Sequence, residues 1–533
     1  MRKKHFLFAS VLALLCGSST LHAQDFKLTS SGYFKNQGVD VMAFDDIYPE
    51  GHQGGVCIIM NGHRVATNGD IRLEATPGQW QPVPKQLDRK LGDNSITATL
   101  CYPDSSRHLT GFNPMIYPDL HLIYTVNVES KGKNIEVTVD LDRPIPQEFI
   151  GKVGFNLEFF PGSLFGKPWI MDGQSGIFPQ QPNSPLMTTQ PNYLHTGNYH
   201  DGKKSLADMN KLIGKGYSPI VADDIISEPY AKGTKFTSRP DDPYNKVTIE
   251  SLSGDLQLFD GRMNHNNGWF VLRSNIKPGV TKGAVKWIIT PNVVADWMYQ
   301  PVIQTSQIGY HPTQDKEAVI EMDIRDNRKE TAQIIRIDAD GEKVVKNVTP
   351  ANWGKFLRYN YLKVNFTDVK EPGLYKIKYN TSVSPIFRID NDVYARGVWQ
   401  PVLEYFLPVQ MCHMRVNEKY RVWHDCCHMD DAQMAPAHNH IDGYDQKEGL
   451  SKFKPGEVVP GVNIGGWHDA GDFDLRIESQ AGESYILALA YEAFHPNLDV
   501  TSIDQINRVT EIHQPDGKND LLQQVENGAL TVV

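Results

Sequence analysis

The spacing of the apolar residues changes once along this chain, near Asp390, and that change limits the fold more than any other feature. Before it, apolar side chains recur at every second residue, as in Ile135-Glu136-Val137-Thr138-Val139-Asp140-Leu141. That is the spacing of a strand with one face buried. Val247-Thr248-Ile249-Glu250 and Trp269 to Leu272 read the same way, punctuated by Ser253-Gly254-Asp255 and Asn266-Asn267-Gly268. The 43 Gly and 33 Pro follow no period, which excludes a collagen-like chain and supplies the turns that a β-rich fold needs. With 40% apolar and 22% charged residues the sequence is globular rather than disordered. Its 533 residues suffice for about three domains, each with its own core.

Arg2, Lys3 and Lys4, the apolar run Phe6 to Cys16, and Leu21-His22-Ala23 read as a secretory signal peptide over residues 1–23. The run is shorter than the roughly 20 residues a membrane span requires, and no run of that length follows. The expectation is an exported protein, periplasmic, cell-surface or secreted, with no transmembrane segment. Cleavage leaves 50 basic against 63 acidic side chains, a net charge of about −13. Nucleic acid is a poor partner for such a chain, because phosphate binding needs concentrated Lys and Arg. A neutral polysaccharide meets no such obstacle.

Residues 24–299 read as an all-β sandwich of unassigned role, with a Pro/Asn-rich loop from Phe178 to Asn192 and helical character only in Lys203 to Leu212. Trp80 and Trp169 could stack on sugars, but core positions suit them better. Residues 300–390 form a second β-rich segment of immunoglobulin-like size, opening Gln307-Ile308-Gly309-Tyr310-His311-Pro312 and closing on the strand Glu371 to Tyr379. In residues 391–533 the spacing turns helical. Asn391 and Asp392 precede an apolar stretch, Val393 to Met414, that Pro401 and Pro408 bend or break. Tyr485-Ile486, Leu489-Ala490 and Ala493-Phe494 follow an amphipathic helix, and Asn519-Asp520-Leu521-Leu522 is a capped helix start. The chain then stops at Thr531-Val532-Val533 without cap or breaker, so the expectation is that this sequence ends inside a domain.

Two constellations carry chemistry. In Gly465-Gly466-Trp467-His468-Asp469-Ala470-Gly471-Asp472-Phe473-Asp474, two carboxylates three apart are separated by small residues that let a ligand approach the backbone. Such a turn could activate a water, bind calcium, or simply cap a helix. The other comprises Cys412, Cys426-Cys427-His428, His438 and His440. Thiolates with imidazoles suit a tetrahedral zinc site, while export to an oxidising compartment permits a Cys412–Cys426 or Cys412–Cys427 disulfide. Cys57 and Cys101 either pair or lie buried. Six cysteines are too few for a disulfide scaffold.

Gly466-Trp467-His468-Asp469-Ala470-Gly471-Asp472 resembles the catalytic signature of glycoside hydrolase family 9, the endoglucanase/cellulase family. Gln307 to Pro312 resembles the opening of the immunoglobulin-like module that often precedes that catalytic domain. Asp392-Val393-Tyr394 with Leu403-Glu404-Tyr405-Phe406, and Asn519 to Leu522, resemble two of its helix starts. The resemblance spans about Pro301 to Val533. It implies a multidomain chain: an N-terminal sandwich, an immunoglobulin-like sandwich, and the beginning of an incomplete α/α six-hairpin barrel. It also implies hydrolysis of a β-glucan with inversion, with Asp472 as base and Asp469 positioning the water. No residue here matches the family's general acid, so the expectation is a fragment of a longer hydrolase, the alternative being a truncated product without activity. By the same resemblance a structural zinc falls to Cys412, Cys427, His428 and His440, with His438 the rival for the fourth place, and calcium is not assignable to particular residues. The other reading is a non-catalytic glycan-binding protein built from the two β-domains.

Overall fold

The computed structural model describes residues 25–45, 54–74, 77, 84–102, 120–183, 227–263, 268–430, 432–434, 438–439, 445–446, 451–469 and 475–533. The leader, Trp80, Lys203 to Leu212, Asp472 and His440 therefore lie outside the described residues. The chain forms two compact units, residues 1–299 and 300–533.

The first unit is built from two nine-stranded sheets. In one, Val56–Met60 and His63–Leu73 lead to Val153–Phe159, Phe270–Asn275, Leu256–Asp260 and Ala231–Gly233. In the other, Val247–Ser251, Val285–Pro291, Asn134–Leu141, Ile123–Lys131 and Ser95–Cys101 lie side by side. The alternation around Ile135 becomes alternating burial, with Ile135, Val137, Val139 and Leu141 inside. Trp169 is buried in the same core, as are Trp287 and Phe155, which meet edge to face at 5.0 Å. Cys57 and Cys101 are buried as well.

One polar row in this unit is dry. Asn156 stands opposite both Asp70 and Arg273 in the ladder. The Glu74 carboxylate accepts from Asn156 Nδ2 at 2.7 Å and Arg273 Nη1 at 3.2 Å, and the Tyr124 hydroxyl donates to Asp70 at 3.0 Å. Burial pushes Glu74 up to about 7 against the pull of Arg273, and Asp70 up to about 6 against the pull of Arg72. Unfolded carboxyls release their protons near 4, so between about pH 4 and 7 the folded unit holds protons that the unfolded chain has lost. Stability from these groups is therefore greatest below that window and falls as pH rises through it. Glu74→Gln should flatten this slope, read as a smaller difference between urea midpoints at pH 5 and pH 8.

The second unit begins with two small sheets packed face to face. One runs Val302–Gln304, Glu317–Asp323, Tyr359–Asn365, Ala351–Phe356; the other runs Gly341–Val348, Ala332–Asp338, Gly373–Tyr379, with Phe387–Ile389 also on Gly373–Tyr379. Tyr310, Ile320, Ile334, Leu362, Ile377 and Phe387 fill the space between them. Tyr310 ties the opening motif in: its hydroxyl accepts from Ser306 N and donates to Glu317 O.

Beyond Ile389 the described residues do not show the expected beginning of an incomplete α/α six-hairpin barrel. Pro401 opens a π-helical turn, Val402–Phe406, that continues as the short helix α1 (Leu407–Gln410). Residues 393–399 do not join it, because Pro401 cannot donate the backbone bond that helix continuity requires. Two longer helices, α2 (Ile477–Phe494) and α3 (Asp520–Val532), pack on each other. Asn519 caps α3 by accepting from Leu521 N and Leu522 N. A four-stranded sheet, Arg421–His424, Arg415–Glu418, Val509–Ile512, Thr501–Asp504, stands beside them and was not foreseen from sequence. Between α2 and α3 lies Trp467, and Gly528 of α3 lets it in: a Cβ there would sit 2.5 Å from the indole and 2.1 Å from Ser484 Oγ. Gly528→Ala should therefore lower stability by roughly 1–3 kcal/mol through overpacking, despite alanine's better helix propensity, as read from thermal unfolding.

Candidate metal centre and carboxylate turn

The segment Gly465–Asp469 is held along its whole length. Trp467 N donates to Gln480 Oε1 at 2.8 Å, and Gln480 Nε2 donates to Trp467 O at 2.9 Å. A carboxamide on α2 thus satisfies both backbone groups of one residue. From α3, Asn527 Nδ2 donates to Gly466 O and Asn527 O accepts from Gly466 N, while Gln524 Oε1 accepts from the Trp467 indole at 2.8 Å. From the α1 side, Cys412 N donates to Gly466 O and His468 N to Gln410 O. Gln480, Gln524 and Asn527 are buried polar groups that must be paired, so these bonds fix the segment rather than decorate it.

This fixation unites the two constellations. Cys412, Cys427, His428 and His468 present donor atoms that all lie within 4.8 Å of one another. Cys412 Sγ is 3.5 Å from Cys427 Sγ and 3.0 Å from His428 Nδ1, and Cys427 Sγ is 3.1 Å from His468 Nε2. Bonds of about 2.0–2.3 Å at tetrahedral angles require ligand separations of roughly 3.3–3.8 Å, so shifts of a few tenths of an ångström in these contacts would bring them to a shared centre. Two sulfurs and two imidazole nitrogens are a zinc-type donor set. Hydrogen bonds from Cys412, and then from His424 and His468, hold the Cys427 thiol far below its usual range despite its burial. The nearby His424 is raised, chiefly by its bond to Cys427. His413, which meets Gly465 O through Nδ1 at 2.8 Å, is lowered by burial.

Three of the four expected ligands are therefore brought together. His440 lies outside the described residues, and His438 is placed only as part of a two-residue strand, His438–Asn439, paired with Asp445–Gln446. The fourth position here is taken by His468, which the sequence reading overlooked because it sits inside the carboxylate motif. An imidazole directly before Asp469 was the available signal.

Asp469 is partly exposed at the end of the clamped segment. Its Oδ2 accepts from Ser479 Oγ at 3.3 Å and lies 3.6 Å from Arg476 Nε, both at the start of α2. Glu483, two turns into the same helix, is raised by burial and then by the negative charge of Asp469. Asp472 and its neighbours, residues 470–474, lie outside the described residues.

Residues 298–384 match the family model of the cellulase N-terminal ig-like domain. The chain therefore carries an immunoglobulin-like module of the cellulase type. Solved structures that it resembles include a Zn-binding triple mutant of GH family 9 endoglucanase J30, at 23% identity and a TM-score of 0.30, over 41% of this chain and 37% of that one. GH family 9 endoglucanase J30 itself matches at 22% identity and a TM-score of 0.31, over the same shares. A Bacteroides ovatus GH9 protein matches at 19% identity and a TM-score of 0.31, over 42% and 37%. The chain spans little more than a third of the length of these proteins. No curated protein matches it.

The ligand geometry makes a direct prediction. Elemental analysis of the purified protein should find about one zinc per chain, falling alike in Cys427→Ser and His468→Ala but unchanged in His440→Ala. Zinc lost with His440→Ala and kept with His468→Ala would return the fourth place to His440.

Proposed function

We propose that this chain belongs to an exported glycoside hydrolase that cleaves a β-linked glucan with inversion, in which Asp472 deprotonates the attacking water and Asp469 orients it. The observation that carries the reading is the anchoring of Gly465–Asp469. Seven hydrogen bonds described above hold a short segment whose one exposed product is a carboxylate. A carboxylate that must hold a water on one face of a sugar needs that rigidity, since a displacement of about 1 Å can cost on the order of 10²-fold in rate. Ser479 and Arg476 set the side chain of Asp469 on the fixed backbone, and its remaining surface is open to a substrate.

The cellulase-type module directly before this region supports a polysaccharide as substrate. The zinc-type centre would supply no reaction step. Two thiolates and two imidazoles close a tetrahedral shell and leave no open position, so a bound metal would act as a structural tie. Through His468 that tie would reach the residue before Asp469.

Inversion also needs a carboxylic acid on the far side of the scissile bond, roughly 6.5–9.5 Å from the base. Asp469 and Asp472 are three residues apart in sequence and are taken to serve one side, and no carboxyl group of this sequence is assigned the acid's role. The chain from Gln24 to Val533 is then expected to show no turnover on soluble β-glucans. In a longer polypeptide that is active, Asp472→Asn should lower the rate by about 10²–10⁴-fold with unchanged thermal unfolding, because an amide cannot take the water's proton. Near-full activity of that variant would remove the base assignment. Turnover by residues 24–533 that disappears in Glu483→Gln would move the acid to α2.

A further inference from the structure

We infer that the immunoglobulin-like module carries a groove for an acidic oligosaccharide, one whose sugar rings bear carboxylates. The groove has a volume of about 240 Å³ and is lined by Asn327, Lys329, Asn352, Gly354, Lys355 and Asn360, with Leu362 as its apolar floor. It lies where Ala351–Phe356 runs beside Tyr359–Asn365, and none of its lining residues belongs to the carboxylate turn or the metal centre.

A local irregularity opens it. The ladder slips between Asn352 and Gly354, so Trp353 is an extra residue on its strand. Gly354 adopts φ +127°, which side-chain-bearing residues rarely do, and a Cβ placed there would meet nothing within 4 Å. The bulge thus clears a space and pushes the Trp353 ring outward, where it is 57% exposed and leans edge-on against Tyr361 at 5.6 Å.

The chemistry of the lining selects the ligand. Asn360 is buried and spends an N–H on Asp326 O, and Asn327 spends one on Arg325 O, which leaves their carbonyl oxygens to accept from hydroxyls. Lys329 and Lys355 have no carboxylate partner among the described residues, and the nearby Asp323 and Asp326 are paired with Arg325 and Arg328. Two uncommitted ammonium groups on a chain of net charge −10 ask for an anion. Amides that match hydroxyls and ammonium groups that match carboxylates together describe a uronic-acid oligomer better than a bare anion or a neutral glucan.

The test is calorimetric titration of the whole protein with a galacturonate oligomer, a neutral cello-oligosaccharide and inorganic phosphate. The galacturonate oligomer should bind, more weakly at high salt because exposed charges are screened. Affinity should fall about tenfold in Lys329→Ala and again in Lys355→Ala, and should be unchanged in Trp353→Ala, whose ring packs on Tyr361 outside the groove, with thermal unfolding unchanged in each lysine variant. Absence of binding, or binding indifferent to both lysines, would overturn the site. Equal affinity for the neutral oligosaccharide or for phosphate would overturn the ligand class. Because the groove shares no residue with the proposed catalytic turn, its failure leaves the hydrolase reading untouched, and the converse holds.

Discussion

Trp467 is the residue on which the last part of the chain depends. Its indole is buried between two helices, its ring nitrogen donates to Gln524, and both of its backbone groups are taken by Gln480. An amide from each helix thus holds one residue, and the next two residues are a candidate metal ligand and a candidate catalytic carboxylate. Buried amides left unpaired cost about 1–3 kcal/mol each, so the helices cannot shift along the segment without losing several such bonds together. Gly528 and Asn527 on α3 complete the fit by close approach and by a reciprocal pair of bonds to Gly466.

The alternation before Asp390 translated into strands because one buried face is all that such a pattern has to encode. The helical pattern after Asp390 was a poorer guide. Of its apolar positions on α2, Tyr485, Ile486, Leu489 and Phe494 are exposed, Ala490 is only partly buried, and the fully buried position is Gln480. On α3 the buried set includes Gln523, Gln524 and Asn527. A period of apolar residues finds helices held by hydrophobic burial, but these two are held to the segment between them by carboxamides, which a hydropathy reading assigns to solvent. The helix starts were legible, since Asn519 caps α3 by a purely local rule. His468 was hidden for another reason: its partners lie 41 and 56 residues upstream in sequence, and only the fold reveals the convergence.

The same lesson applies in the first unit from the opposite side. Asp70, Arg72 and Glu74 occupy alternate positions along one stretch, which reads from sequence as the wet face of a strand. All three are buried, joined by Asn156, Glu158 and Arg273 from neighbouring strands. Alternation shows that a strand has two faces; it does not say that the polar one meets water. A buried row of opposite charges is weak evidence for stability, because desolvation opposes the attraction between partners. Its effect here is a protonation state tied to folding.

The thiols of the candidate metal centre admit two fates, and their surroundings discriminate between them. A disulfide between Cys412 and Cys427 would require the sulfurs to close from 3.5 Å to about 2.05 Å and would give up the thiolate charge. Yet the Cys427 sulfur faces His424 and His468 as well as Cys412, an arrangement that lowers its pKa and that a neutral disulfide could not exploit. His428 is held with φ +54°, an uncommon conformation for a residue bearing a side chain, and its Nδ1 meets Cys412 Sγ at 3.0 Å. Two imidazoles converging on two sulfurs, one by way of a left-handed backbone, serve coordination and contribute nothing to a sulfur–sulfur bond. A metal at this position would draw α1, the Cys427-His428 loop and the Trp467 segment to one point. That is the same task the buried amides perform on the other side of Trp467, so the segment Gly465–Asp469 would be held from both sides.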